Sequence, residues 1–180
     1  MNERIQEMLD HYEITKLLAT YCHGIDRMDE QRAASVYARV SWDDHGPHAN
    51  TGPAFIRGVM ERMGSGATVA DTHILGQTQV NIEGDQAGAE TYFLFFGHKV
   101  RDDGSEVLLQ LGGRYVDRLI KEEGNWKIAN RVCVRDWSVT TPINEDWLRG
   151  VSWVNGKRSS DDPSYPVLGI AHSTDPGQGI

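Results

Sequence analysis

A chain of 180 residues, 39% hydrophobic and 24% charged, has the size and make-up of one soluble globular domain with a real core. Its formal net charge of -8, with lysines and arginines scattered and no basic run, excludes a phosphate-tracking surface and with it nucleic acid as a partner. No window approaches about eighteen apolar residues, and residues 1–10 carry Glu3, Arg4, Glu7 and Asp10 where a leader would be basic and then apolar, so neither a membrane span nor a signal peptide is expected and a cytoplasmic location is.

The first element is a long helix. Ile5, Met8, Leu9, Tyr12, Leu17, Leu18, Tyr21 and Ile25 recur at three- and four-residue spacing, the pattern of a helix buried on one side. It ends in Tyr21-Cys22-His23-Gly24-Ile25-Asp26, and Asp26 stands where the apolar face stops. A carboxylate at that place either caps the following turn or, with its pKa moved by burial and neighbours, serves as a general base. Met28-Asp29-Glu30 offers a helix start, and Ala33, Ala34, Val36 and Tyr37 predict a short second helix. Residues 41–46 then read as a turn through Asp43-Asp44-His45-Gly46. Pro53 at a first helical position, with Ile56, Val59, Met60 and Met63 on one face, predicts a third helix closed by Gly64-Ser65-Gly66.

From residue 67 the period changes from about 3.6 to 2. Residues 69–83, 87–101, 106–121 and 126–140 read as four long strands, joined by Glu83-Gly84-Asp85, Arg101-Asp102-Asp103-Gly104-Ser105 and Glu122-Glu123-Gly124-Asn125. Short polar turns between long strands imply consecutive antiparallel hairpins, and helices followed by a meander imply an α+β fold. From Pro142 the pattern fades, with a short helix expected over 145–153 and a weakly ordered tail over 156–180 that closes over a pocket, lies against a partner subunit or is disordered. The expected division is therefore a domain over 1–141 and an extension over 142–180.

Chemistry-bearing residues lie on the strands. His73 shares the parity of Leu75, Gln77 and Gln79, opposite to Ile74, Val80 and Ile82, so one face is apolar and the other polar, looking either at water or into a cavity. On the last strand Lys127, Arg131, Cys133, Arg135 and Trp137 oppose Trp126, Ile128, Val132 and Val134. Arg131 or Arg135 is then either a fixed cation for an anion or enolate in a pocket or part of a salt-bridged sheet surface. Tyr92, Phe96 and His98 form one parity of the third strand system. With Trp42, Tyr115 and Trp137, Tyr92 and Phe96 are the aromatic candidates for substrate binding, although such clusters also serve simply as core. Cys22 and Cys133 have no CxxC partner or metal-ligand spacing and read as small buried hydrophobes in a reducing compartment. No nucleophile motif, phosphate-cradling glycine loop, HExxH or dinucleotide fingerprint occurs, so the expected chemistry is proton transfer with no cofactor and no metal.

The order of elements, with residues 21–26, Asp43-Asp44-His45-Gly46, His73-Ile74-Leu75-Gly76-Gln77 and Gly124-Asn125-Trp126-Lys127-Ile128, resembles the SnoaL-like branch of the nuclear transport factor 2-like superfamily. The resemblance covers roughly residues 3–140 and is nearest in function to scytalone dehydratase, hexachlorocyclohexane dehydrochlorinase and the bile acid dehydratases. It implies a cone-shaped α+β barrel with its pocket between the curved, mostly antiparallel sheet and the three N-terminal helices. It also implies that Asp26 orients His73, which takes a proton from carbon, while Tyr21, His98 and Arg131 fall on or near positions that supply acid or electrostatic help. A lysine stands in the dehydrochlorinase where Tyr21 is, and the tyrosine before the aspartate in scytalone dehydratase is Ile25 here, so the substrate does not carry over. The resemblance thus implies a cofactor-independent lyase or isomerase acting on a small apolar or aromatic ring compound of polyketide or steroid type, in a homo-oligomer, dimer or trimer. A non-catalytic small subunit of a ring-hydroxylating dioxygenase and a ligand-binding scaffold are the alternatives on the same fold.

Overall fold

Asp10 decides which side of the first helix is buried. In a computed structural model that describes residues 3–148 and 150–170, helix α1 (Glu3–Asp26) buries Asp10, Ile14, Leu18, Tyr21, Cys22 and Ile25. The Asp10 carboxylate accepts hydrogen bonds from the Trp126 indole at 2.9 Å and the Lys121 ammonium at 2.7 Å. Those bonds fix the helix rotation, so the expected stripe of Ile5, Met8, Leu9 and Tyr12 points the opposite way and is exposed. A buried polar atom that must be satisfied has outweighed four apolar side chains in the first half of the helix.

Gly24 lets the next element approach, since a Cβ there would stand 2.6 Å from the Ala33 nitrogen. Helix α2 (Glu30–Ala34) lies in that contact, with Asp29 at its N-cap accepting from the Arg32 N–H at 3.0 Å. Tyr37 is not in this helix but begins strand β1 (Tyr37–Asp44), which replaces much of the expected turn. β1 pairs parallel with the last strand, Tyr37 against Ile128 and Asp43 against Arg131. Parallel partners have no hairpin between them, so no turn signal marks β1 in the sequence. After β1, backbone bonds of 2.8 and 3.0 Å between Asp43 and Asn50 close the loop that carries His45.

Helix α3 (Gly52–Met63) follows, then β2 (Thr68–Glu83), β3 (Gln86–Val100), β4 (Glu106–Glu122) and β5 (Asn125–Pro142), all within a residue or two of the expected bounds. The order across the sheet is β1-β5-β4-β3-β2. β1 and β2 remain edges, so the α+β cone is a curved open sheet with helices packed on it rather than a closed barrel. The helices and the inner face of the sheet share one core, from Ile14 and Leu18 through Ile56 to Leu119 and Ile128.

Register slips break the simple alternation. Between Leu75 and Thr78 in β2 the register slips by one, so His73 and Leu75 share the core side with Val80 and Ile82, while Ile74 faces out. Slips at Arg118/Leu119 and Gly112/Gly113 do the same to β5. Through the slip at Arg118/Leu119, Trp126 and Ile128 point to the same side as Arg131 and Cys133, not to the opposite side.

The expected helix over 145–153 shrinks to one 3-10 turn, Asp146–Leu148, and the chain later forms α4 (Ser164–Leu168). Residues 156–170 of the expected tail pack on the end of α1 and the start of β2, and the expectation for residues 171–180 lies outside the described residues. Arg158 donates to the Met63 and Thr68 carbonyls at 3.1 and 2.9 Å, and the Tyr165 hydroxyl donates to Asp29 at 3.0 Å. Burial alone would raise the pKa of Asp162, but bonds from the Ser164 hydroxyl and the Lys157 and Ser164 N–H groups, with Arg27 at 3.8 Å, bring it down to about 2. The folded value lies below the unfolded 3.8, so this anchorage is full above about pH 4 and lost as pH falls through about 2. Amide exchange of residues 157–165 is expected to accelerate in that window before the sheet amides do. Simultaneous loss of both would show that Asp162 has no local role.

Candidate active site

Asp26, the last residue of α1, meets His73 near the start of β2. One carboxylate oxygen accepts from the His73 ring Nδ1 at 2.6 Å and the other from the His73 backbone N–H at 3.0 Å. With both oxygens engaged and Asp26 only 8% exposed, the carboxylate has one orientation. It fixes the Nδ1–H tautomer of the imidazole and leaves the lone pair on Nε2, to which no described residue bonds. Phe95, its ring centroid 4.9 Å away, packs against the other side of the imidazole.

His73 lines a cavity of about 180 Å³ between α1, α3 and the inner face of the sheet. Phe55, Val59 and Met63 of α3 form one side. Phe93 and Phe95 of β3 and Leu111 and Tyr115 of β4 form the other. The lining is apolar apart from His73, His45, the Tyr21 and Tyr115 phenols and the Cys133 thiol. Larger grooves exist elsewhere, such as one of about 690 Å³ along Glu106, Asn144 and Leu148, but among the described residues their linings hold no histidine tied to a buried carboxylate. Burial pushes the Cys133 thiol up to about 12, so at neutral pH it is no nucleophile. Burial likewise raises the Tyr21, Tyr37 and Tyr115 phenols well above their usual range, which keeps them neutral donors.

Arg131 sits behind this wall. It is 0% exposed, bonded through Nε and one terminal nitrogen to Asp117 at 2.8 Å each, with its guanidinium 4.4 and 4.2 Å from the Tyr21 and Tyr115 ring centroids. Its charge is matched by Asp117, so it braces the tyrosines and is no free cation of the cavity.

The remaining sequence candidates are not brought together here. His98 donates to the Glu106 carboxylate at 2.6 Å near the far hairpin, with the outward parity of Tyr92 and Phe96. β3 turns Thr91, Phe93, Phe95 and Gly97 inward, so of its aromatic residues the cavity receives Phe93 and Phe95, not Tyr92 or Phe96. Trp42 faces out because its neighbours Ser41 and Asp43 face in, and Trp137 lies against Gly112. Of the proposed aromatic contacts only Tyr115 reaches the lining. Arg135 donates to Ser138 at 3.4 Å on an exposed stretch.

His45 is the residue that sequence reasoning passed over. It was grouped with a turn, yet it follows β1, where Asp43 and His45 at i and i+2 project to one side. Its Nδ1 bonds to Asp43, whose other oxygen accepts from the Tyr37 hydroxyl, and its ring stacks on Phe55 at 4.4 Å. Asp43 is 0% exposed.

Residues 6–132 match the model of a SnoaL-like domain. No curated protein matches the chain significantly. Among solved structures, the chain is similar to a putative scytalone dehydratase from Novosphingobium aromaticivorans, at 16% identity and TM-score 0.65 over 77% of this chain and 90% of that one. It is also similar to a hexachlorocyclohexane dehydrochlorinase from Novosphingobium barchaimii, at 16% identity and TM-score 0.67 over 85% and 99%. A putative aromatic ring hydroxylase from Novosphingobium aromaticivorans has 22% identity and TM-score 0.65 over 76% and 94%. Identities this low establish a shared fold and nothing finer.

Proposed function

Since the chain belongs to the SnoaL-like domain family, whose fold is shared by dehydratases and a dehydrochlorinase, we propose that it is a cofactor-independent lyase or isomerase that takes a proton from carbon. His73 is the base through Nε2, and Asp26 holds its tautomer and balances the imidazolium that forms. The observation that carries this reading is the imidazole in an apolar cavity with one nitrogen tied to a buried carboxylate and the other open to the cavity. A cavity of about 180 Å³ is little larger than the roughly 150 Å³ that holds benzene. It therefore fits one ring, alone or as the inserted part of a larger molecule. The neutral phenols of Tyr21 and Tyr115 are positioned to donate to a carbonyl or leaving group on that ring.

A probe independent of the natural substrate tests the chemistry. 5-Nitrobenzisoxazole loses its C3 proton to a base and opens to a coloured phenolate, and the folded protein is expected to accelerate this while His73→Ala does not. A scaffold without chemistry rests on the fold alone, and full retention of the rate by His73→Ala would favour it.

The same proposal includes a homo-oligomer. Ile74, Tyr92, Leu94, Val116, Val132 and Trp137 are between 37 and 51% exposed across adjoining strands, an apolar stretch of a kind that marks interfaces. Sedimentation is expected to give a dimer or larger, and Leu94→Lys with Val116→Lys to shift it toward monomer. A monomeric wild type at micromolar concentration would remove this part.

A further inference from the structure

The cavity contains not one carboxylate-tied imidazole but two. His45 lines it from the loop after β1, as His73 does from β2. The two are built alike: Nδ1 bonds to a buried aspartate, an aromatic ring packs on the imidazole, and no described residue bonds Nε2. The second unit is held more firmly than the first. Asp43 is 0% exposed, its second oxygen takes the Tyr37 hydroxyl, and its backbone is clamped to Asn50 on both sides. Gly52 opens α3 directly on the Tyr37 ring, where a Cβ would stand 2.3 Å from a ring carbon, so the phenol cannot swing away. A surface histidine needs none of this.

We infer that His45 is the second proton-transfer residue of the cavity, delivering a proton from Nε2 to the leaving oxygen while His73 takes one from carbon. The inference rests on the proposed function and assigns its missing half. For a substrate H–C–C–OH the balance is complete. His73 Nε2 gains the proton, the C–H electron pair becomes the second bond of C=C, the C–O bond breaks, and the oxygen leaves as water with the His45 proton. His73 ends charged and His45 neutral, and exchange with solvent restores both. Asp43 stabilises the charged form of His45 before the step, as Asp26 stabilises that of His73 after it.

The other groups facing this imidazole do not compete for the role. Tyr37 from β1 spends its hydroxyl on Asp43, the Tyr21 and Tyr115 phenols from α1 and β4 can hydrogen-bond the leaving oxygen but burial raises their pKa too far for them to release a proton to it, and burial holds the Cys133 thiol of β5 protonated in the same way. Phe55 from α3 does not titrate, Arg131 is paired with Asp117, and Asp44 turns its carboxylate to the Gly46 N–H at 2.8 Å.

Two probes that share a base step but differ in leaving group separate the two histidines. The phenolate formed from 5-nitrobenzisoxazole is weakly basic and needs little acid, whereas that from unsubstituted benzisoxazole is more basic and gains from a proton donor. His45→Gln is expected to lower kcat/KM for benzisoxazole by on the order of 100-fold and for the nitro compound by less than about 10-fold. His73→Ala is expected to lower both alike. Equal losses of the two probes in His45→Gln overturn the assignment of His45 and leave that of His73 standing. Indifference of both probes to His73→Ala, or no wild-type rate above buffer, overturns both.

Discussion

Asp26→Asn is expected to remove roughly 10²–10⁴-fold of the proton-transfer rate, as much as His73→Ala, although it changes one oxygen to nitrogen. The reason lies in the two bonds that Asp26 accepts. One oxygen takes the His73 backbone N–H at 3.0 Å and the other the ring Nδ1–H at 2.6 Å. An asparagine has a single oxygen. If it keeps the backbone bond, its NH2 group faces Nδ1 and forces the proton to Nε2, turning the base into a donor. If it keeps the ring bond, its NH2 group opposes a backbone N–H in a buried site, which costs about 1–3 kcal/mol. In either case the negative charge that balances the imidazolium is gone. Turnover of 5-nitrobenzisoxazole, measured beside a thermal melt showing the variant folded, checks the expectation. A folded Asp26→Asn within a few-fold of wild type would remove Asp26 from the mechanism.

The largest effect on stability is expected from Arg131→Met, which leaves the Asp117 carboxylate without its partner in a site where both are nearly inaccessible. Breaking a buried pair from one side costs about 3–5 kcal/mol, and at roughly 2–4 °C per kcal/mol for a chain of this size the melting temperature should fall by roughly 6–20 °C. The double change Arg131→Met with Asp117→Leu is expected to recover much of that loss, because it removes both desolvated charges and leaves apolar volume. Urea unfolding of the single and double variants measures the difference. A single variant within about 1 kcal/mol of wild type would mean that water reaches Asp117. The variant also removes the brace from the Tyr21 and Tyr115 rings, so weaker ligand binding should accompany the lower stability.

What was legible in the sequence follows from which forces act locally. The four hairpin strands were readable because turn residues such as Glu83-Gly84-Asp85 and Glu122-Glu123-Gly124-Asn125 mark their ends, and the pairing of Asp26 with His73 was readable from the family resemblance. β1 was not readable, because its partner β5 lies some eighty residues on and nothing between them signals parallel pairing. The face of α1 was misread because a buried acceptor for Trp126 and Lys121 exists only once the sheet is formed. His45 was hidden by the company it keeps, an Asp-Asp-His-Gly run that looks like any polar turn until its aspartate is seen to be wholly buried.

The slip in β2 between Leu75 and Thr78 divides the sheet by purpose. On one side of it His73, with Phe93, Phe95 and Leu111 on the neighbouring strands, answers to whatever occupies the cavity. On the other side Val80 and Ile82, with Ala87, Ala89, Leu119 and Ile128, belong to the core that the sheet shares with the helices and line no part of the cavity. The two sets meet at Tyr21, Phe93 and Tyr115, which line the cavity and also belong to the common core. Substitutions at His73, Phe95 or Leu111 change what the cavity presents, whereas those at Leu119 or Ile128 act on packing alone. A core concentrated away from much of the cavity lining is a physical reason for the fold to persist at 16% sequence identity.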